Sequence, residues 1–341
     1  MRYRVALVGC GDIAETGHLP ALLQHPRFEV AALCDVRPAR TELLRKKVPS
    51  ARVFEDFRPL LTDPGIDAAI LALHPEVSVD TAIEFLRAGK PVLGEKPLAL
   101  TLEDGLRLQR EIEKTGGVYQ IGFVFQYSST VRRLAELARE IGAPAFYRIG
   151  IYDERLDRSN TGHFQRIQRI LEVSSAITHE GSHPIDFMQL FNASALVSAD
   201  ASALKTSDDF KGPNLWSARF KLADGSLFNL EIGWFIPDLP RNTILIAGPR
   251  GALEADLRTG RGSYQRGGKT EALRLDPLVQ NWRGQLDNFA LSIETRRVRQ
   301  ATIHDGLRAL RATIACERLF QRGDAEMQSL CAPQSYCHAP A

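Results

Sequence analysis

Tyr3–Val8 reads YRVALV and runs straight into Gly9-Cys10-Gly11-Asp12-Ile13-Ala14. An apolar run without alternation is what a strand covered on both faces of a parallel sheet requires. The six residues after it fit G-x-G-x-x-G/A, the turn that joins strand to helix in a dinucleotide-binding βαβ unit. Gly9 permits the tight turn, Gly11 lets a pyrophosphate reach the backbone, and Ala14 is small enough for the helix to pack on the sheet. The free amides at the helix start then face the phosphates. Gly9, Cys10, Gly11, Asp12 and Ile13 are therefore candidate coenzyme-binding residues. Without a ligand the same glycines would mark an ordinary turn, but the strand before and the helix signal after are the context that the motif needs.

Moving outward, Phe28–Cys34 (FEVAALC) and residues 68–73 (AAILAL) are two more buried-strand runs. Asp35 ends the first of them, 21 residues beyond Ala14. A carboxylate there accepts hydrogen bonds from a ribose hydroxyl and repels a 2′-phosphate, which favours NAD over NADP. Arg37 and Arg40 follow closely and are suited to ease that repulsion or to stack on adenine. Val79, Ile83 and Leu86 recur at helical spacing before Gly89. Residues 91–94 form a further short strand. Thr101-x-x-Asp104 opens a helix that Gly116-Gly117 ends, and residues 118–122 close the pattern. Strand and helix alternate throughout, so residues 1–122 read as a doubly wound parallel sheet.

Beyond residue 123 the pattern changes. In Leu215–Leu222, Trp216, Ala218, Phe220 and Leu222 alternate with Ser217, Arg219 and Lys221. After Asp224-Gly225, Phe228, Leu230, Ile232 and Trp234 alternate with Asn229 and Glu231, which makes a hairpin with one buried face. Residues 243–247 and 252–257 form another pair across Gly248-Pro249-Arg250-Gly251. Leu307, Leu310, Ile314 and Leu319 mark a closing helix. The fold class is thus α/β in the first part and α+β with a largely antiparallel, open-faced sheet over residues 123–330. The last helices are candidates to pack back on the first unit, and residues 331–341 read as a loose tail.

Composition excludes several functions. Net charge is +2 with both signs interspersed, unlike the basic patch of a nucleic-acid binder. No apolar run has the length of a membrane span, and the chain enters a strand at once without a signal-peptide pattern. Five scattered cysteines suit reduced thiols and a cytoplasmic setting.

Gly94-Glu95-Lys96-Pro97 stands at the carboxyl end of a strand, where open α/β sheets bind ligands. A lysine there donates to a substrate oxygen and stabilises developing alkoxide charge. With the glycine turn, Asp35 and the order of elements, the stretch AGKPVLGEKPLALT resembles the glucose–fructose oxidoreductase / inositol dehydrogenase (Gfo/Idh/MocA) family, over most of the chain. The resemblance implies NAD(P)-linked oxidation or reduction of sugars, cyclitols or their derivatives. It also implies a dimer or tetramer built on the second sheet, and it places Glu95 and Lys96 beside the coenzyme, with Lys96 near the reacting carbinol. His74, after the 68–73 strand, falls where family members carry a residue near the coenzyme, although a turn histidine explains it equally well. Gln126 falls where many members carry an arginine, which leaves its substrate role open.

Residues 178–187 read THEGSHPIDF against the family's Asp-x-Gly-x-His-x-x-Asp. Gly181, His183 and Asp186 match, while His179 replaces the first Asp. His183 is the candidate general base, since imidazole titrates near neutrality. With Pro184 as the first helical residue, His183 would be the N-cap, where the helix dipole disfavours imidazolium. His179 cannot stabilise an imidazolium by charge; it can accept a hydrogen bond or share the role. The same letters spell H-E-x-x-H, but Gly181 and Pro184 break the continuous helix that a zinc site needs, so no metal is expected. Arg155, Arg158, Arg166 and Arg169 precede this segment, either to meet an acidic substrate or, for Arg166 and Arg169 more simply, as a solvated helix face.

The expected activity is hydride transfer between nicotinamide and a secondary carbinol of a small sugar-like substrate. An NAD-dependent glycosidase working by transient oxidation and a non-catalytic nicotinamide-binding regulator are the alternatives.

Overall fold

The computed structural model describes residues 2–331. Six strands form the first sheet: β1 (Tyr3–Val8), β2 (Phe28–Cys34), β3 (Arg52–Phe54), β4 (Ala68–Leu71), β5 (Val92–Gly94) and β6 (Tyr119–Ile121). They lie in the order β3-β2-β1-β4-β5-β6, all parallel. The connections carry α1 (Leu19–Gln24), α2 (Pro38–Arg45), α3 (Arg58–Thr62), α4 (Pro75–Arg87) and α5 (Leu102–Thr115). Local chemistry sets these ends. Pro75 opens α4, where its missing N–H costs nothing. The Thr101 hydroxyl accepts from the Asp104 amide to cap α5, and Gly116 ends it in the left-handed region at φ 61°. The short strand β3 and helices α2 and α3 lack a clear period, and patterning alone did not show them.

The strand order reverses beside β1, so the carboxyl ends of β1 and β4 flank a crevice. That is where ligands of such sheets bind.

The second sheet has eight strands in the order β14-β13-β12-β11-β7-β10-β9-β8. These are β7 (Phe146–Asp153), β8 (Leu196–Leu204), β9 (Leu215–Leu222), β10 (Leu227–Trp234), β11 (Thr243–Gly248), β12 (Gly251–Asp256), β13 (Arg261–Arg266) and β14 (Lys269–Arg274). Only β7 and β10 pair in parallel; every other neighbour is antiparallel. The hairpin read from alternation has Phe228 opposite Phe220 and Ile232 opposite Trp216, all buried. Ser217, Arg219, Lys221 and Glu254 are exposed on the other face.

Helix α6 (Ser129–Ile141) lies between the two sheets in sequence and packs on β11 and β12, while α7 (Thr161–Val173), α8 (Ala176–His179) and α9 (Ser182–Phe191) follow β7; α8 packs on β9 and β10, and α9 on α6. Then α10 (Trp282–Thr295) returns to the first sheet, where Phe289 stacks on Phe28 with ring centroids 6.0 Å apart. Helix α11 (Ile303–Cys331) packs on α5, α9 and β8. It reaches Cys331, and the tail expected beyond it lies outside the described residues. One apolar core runs from Ala6 and Val8 through Phe123 and Tyr127 to Trp216 and Ile232. The two sheets therefore share packed side chains, and the crevice between them has walls set by a common interior. Among the described residues no helix is long and apolar enough to cross a membrane.

Candidate active site

A cleft of about 580 Å³ opens at the carboxyl end of the parallel sheet. Gly11, Asp12, Ile13, Arg37 and His74 line one end of it, and Glu95, Lys96, His179 and His183 line the other. Gly9, Cys10, Asp35 and Gln126 do not line it.

Gly9 sits at φ +88°, and a Cβ there would lie 2.2 Å from the carbonyl oxygen of Ala72. Its glycine is a demand of the fold itself. Gly11 is different: a Cβ there meets no atom within 4 Å. The space over Gly11 is a cradle that the chain leaves open, which fits the close approach of a diphosphate. Asp35 is committed by two contacts. One oxygen accepts the Cys10 amide at 2.8 Å, and the other accepts the Arg37 amide at 2.9 Å and its guanidinium at 3.3 Å. Burial works to raise this carboxyl, but those donors outweigh it and hold it below the usual carboxylate range. Cys10 is buried, and burial first, then Asp35, pushes its thiol up to about 12, so it acts by its backbone.

At the other end, Lys96 comes from the tip of β5 and crosses to the second unit. Its Nζ donates to the His179 carbonyl at 3.0 Å and contacts His179 Nδ1 at 3.2 Å, with Glu180 Oε2 at 3.7 Å. Since an ammonium has only protons to offer, His179 Nδ1 is the acceptor. Burial first, and then Lys96, hold both His179 and His183 well below the ordinary imidazole range. His183 lies edge-on to Phe125, ring centroids 4.8 Å apart, and its Nδ1 is buried without a partner among the described residues. It is not the N-cap expected from Pro184. The cap is Gly181, in helical conformation at φ −62°, and α9 starts at Ser182, which places His183 inside the first turn. Desolvation rather than the helix dipole keeps it neutral.

Glu95 beside Lys96 is buried. It accepts the Lys96 amide at 3.2 Å and contacts His18 Nε2 at 2.8 Å. Gln126 is turned into the core instead. Its amide nitrogen donates to Asp186 at 2.7 Å, and its oxygen accepts the Ala301 amide at 3.1 Å. Asp186, buried and near Asp305, is pushed well above the usual carboxyl range. The Gln126 amide gives this buried carboxyl a hydrogen-bond donor. Gln126 is thus placed to hold α9, away from the cleft.

Arg155 and Arg158 bond to the Pro237 carbonyl and to Asp209. Arg166 is no solvated bystander: its guanidinium bridges Asp12 at 3.2 Å and Glu154 at 3.2 Å across the cleft, and Arg169 lines the same wall. Among the described residues no three His, Cys, Asp or Glu side chains group as metal ligands do. The sequence reading missed Glu180, Asp153 and Trp282 as cleft residues. Glu180 carried a signal only as the neighbour of His179; Asp153 and Trp282 carried none.

Residues 3–123 match the model of an oxidoreductase family described as having an NAD-binding Rossmann fold. Inositol 2-dehydrogenase 2 of Saccharopolyspora erythraea is 27% identical over 361 aligned positions, covering 100% of this chain and 99% of the relative. Over residues 3–123 the chain is similar to the Gfo/Idh/MocA family. Inositol 2-dehydrogenase of Paracoccus denitrificans is 32% identical over 149 residues, 42% of this chain and 44% of the relative. In fold, the chain is similar to aldose-aldose oxidoreductase from Caulobacter crescentus complexed with glycerol, at a TM-score of 0.82 and 18% identity over 95% of this chain and 98% of that one. With these likenesses the chain is an oxidoreductase whose parallel first sheet is of the coenzyme-binding kind, joined to a second, mostly antiparallel sheet.

Proposed function

We propose that this oxidoreductase transfers a hydride reversibly between NAD and a secondary carbinol of a cyclitol or sugar. The observation that carries this reading is that Lys96, His179 and His183 face the same cleft as the Gly11-Asp12-Ile13 turn. Full-length similarity to an enzyme named for inositol supports the substrate class. Asp12, Ile13 and the open space at Gly11 hold the diphosphate, and Asp35 favours the unphosphorylated ribose. When bound, the nicotinamide supplies the hydride acceptor or donor.

Lys96 offers a positive hydrogen-bond donor to the reacting oxygen and stabilises alkoxide character as the C–H bond breaks. Neutral His183, buried in the wall of the cleft, orients the carbinol beside Lys96. The edge of Phe125 fixes its ring. The open face of the second sheet supports assembly as a dimer or tetramer.

The test is a panel of inositols, aldoses and sugar acids with NAD, in wild type, Lys96→Ala and His183→Ala. One polyol should be oxidised. Each substitution should lower the chemical step by about 10²- to 10³-fold while NAD affinity stays within about threefold. Cleavage of an aryl glycoside without net NADH would replace the reading with the glycosidase. NAD binding with no turnover of any polyol would leave the regulator.

A further inference from the structure

Oxidation of a carbinol to a carbonyl releases one proton for every hydride removed. The two histidines nearest Lys96 are poor places to keep it. His183 is buried against Phe123 and Phe125, and an imidazolium there would sit beside the Lys96 ammonium. His179 Nδ1 is occupied as an acceptor for Lys96, so protonating it would break that contact.

Glu180 is the remaining group. It occupies the turn between α8 and α9, lines the cleft with its side chain 14% exposed, and lies at ion-pair distance from Lys96. Two of the three ammonium protons of Lys96 are directed at His179, which leaves the third for the side of the cleft where Glu180 Oε2 lies 3.7 Å away.

We infer that Glu180 is the proton store of this site, exchanging protons with the reacting oxygen through Lys96. The inference rests on the proposed hydride transfer. In oxidation, Lys96 takes the hydroxyl proton as it passes one of its own to the Glu180 carboxylate. Lys96 stays an ammonium, Glu180 becomes a carboxylic acid, and the C–H electron pair leaves as the hydride. Reduction runs the same steps backward.

The surroundings match the task. Asp153 and Glu154 at the end of β7 add negative charge near Glu180, and Arg166 of α7 and His163 both pair with Glu154. Lys96 opposes them from β5, while His179 and His183 on its own segment stay neutral. Burial is the largest influence. It pushes the Glu180 carboxyl up to about 7 despite Lys96. A proton carrier works best when its affinity matches the working pH. His74 at the start of α4, Glu95 beside Lys96, Arg169 of α7, and Asp12, Arg37 and Arg40 of the first unit also line the cleft.

The experiment uses the full chain with glutamate labelled by ¹³C in its carboxyl group. One carboxyl signal should titrate near pH 7 and be missing in Glu180→Gln. For the polyol found in the panel, kcat for oxidation should fall about tenfold per pH unit below 7, because the store is then already filled. In Glu180→Gln, kcat should drop about 10- to 100-fold and lose that pH dependence, with NAD affinity unchanged within about twofold. Glu180→Asp should restore part of the rate and the limb. A Glu180 signal titrating in the ordinary carboxyl range, or a limb retained in Glu180→Gln, would overturn the inference. If no polyol reacts, the hydride-transfer reading falls, and the titration still decides the ionisation of Glu180.

Discussion

Lys96 Nζ lies 3.0 Å from the carbonyl oxygen of His179 and 3.2 Å from its ring Nδ1. One residue ends a strand of the parallel sheet, and the other belongs to the helical turn under the second sheet. The contact therefore ties the two walls of the cleft at the point where chemistry is expected. It also shows what meets Lys96 here, where the resembled sequence pattern has a carboxylate in place of His179. A largely buried ammonium needs acceptors, and His179 supplies two, one of them from the main chain. Negative charge comes from the next residue, Glu180, 3.7 Å away.

Asp35 is expected to set coenzyme choice. Both of its oxygens are engaged by Cys10 and Arg37, so the carboxylate cannot swing away from an incoming phosphate. Asp35→Ser removes that charge and frees the exposed Arg37 guanidinium to meet a 2′-phosphate. NADP should then bind about tenfold tighter than to wild type, and NAD about tenfold weaker, each step being about 1.4 kcal/mol. Trp282 and Trp234 line the cleft and report binding by fluorescence. An unchanged preference for NAD would remove Asp35 from this role.

Glu180 is expected to cost stability at alkaline pH. Its carboxyl is raised from an ordinary value of 4.5 to about 7. Below pH 4.5 both folded and unfolded chains hold the proton, and no penalty arises. As pH climbs toward 7 the unfolded chain ionises first, so folding loses free energy, and the loss is complete above the folded value. Glu180→Gln should thus raise stability at pH 8 by about 1–3 kcal/mol and leave it nearly unchanged at pH 4. Denaturant melts at both values measure the difference. Equal effects at the two pH values would show that the carboxyl is not shifted.

Strand periodicity made most of the fold legible. β1, β2 and β4 show as apolar runs because both faces are covered, and β9 and β10 show by alternation because one face is. β13 and β14 were missed because RGSYQR and KTEALR lie at an open edge with no strong apolar face. The site divides in the same way. Gly9 and Gly11 are written in the backbone rules of a turn, and Lys96 in a strand-end motif. The role of Gln126 stayed open in the sequence because burial against Asp186 is a tertiary fact that no local pattern carries. Glu180 was passed over for a like reason: its partner Lys96 is 84 residues distant in the chain (180 − 96) and meets it only in the folded cleft.

The two fingerprint glycines should fail in opposite ways. Gly9→Ala drives a Cβ to 2.2 Å from the Ala72 carbonyl oxygen at a backbone angle of +88°, where an L side chain is already strained. The main chain of β4 and the turn must move apart, so the variant should lose about 2–4 kcal/mol of stability whether or not coenzyme is present. Gly11→Ala meets nothing within 4 Å and needs no unusual angle. Its stability without coenzyme should match wild type within about 0.5 kcal/mol. Its NAD affinity should nevertheless fall about tenfold or more, because the added methyl occupies space that the diphosphate requires. Thermal melts with and without NAD separate the two effects, since ligand stabilisation follows affinity. A Gly11→Ala protein that keeps full NAD stabilisation would mean that the diphosphate lies elsewhere, and the turn would then be no more than a connection between strand and helix.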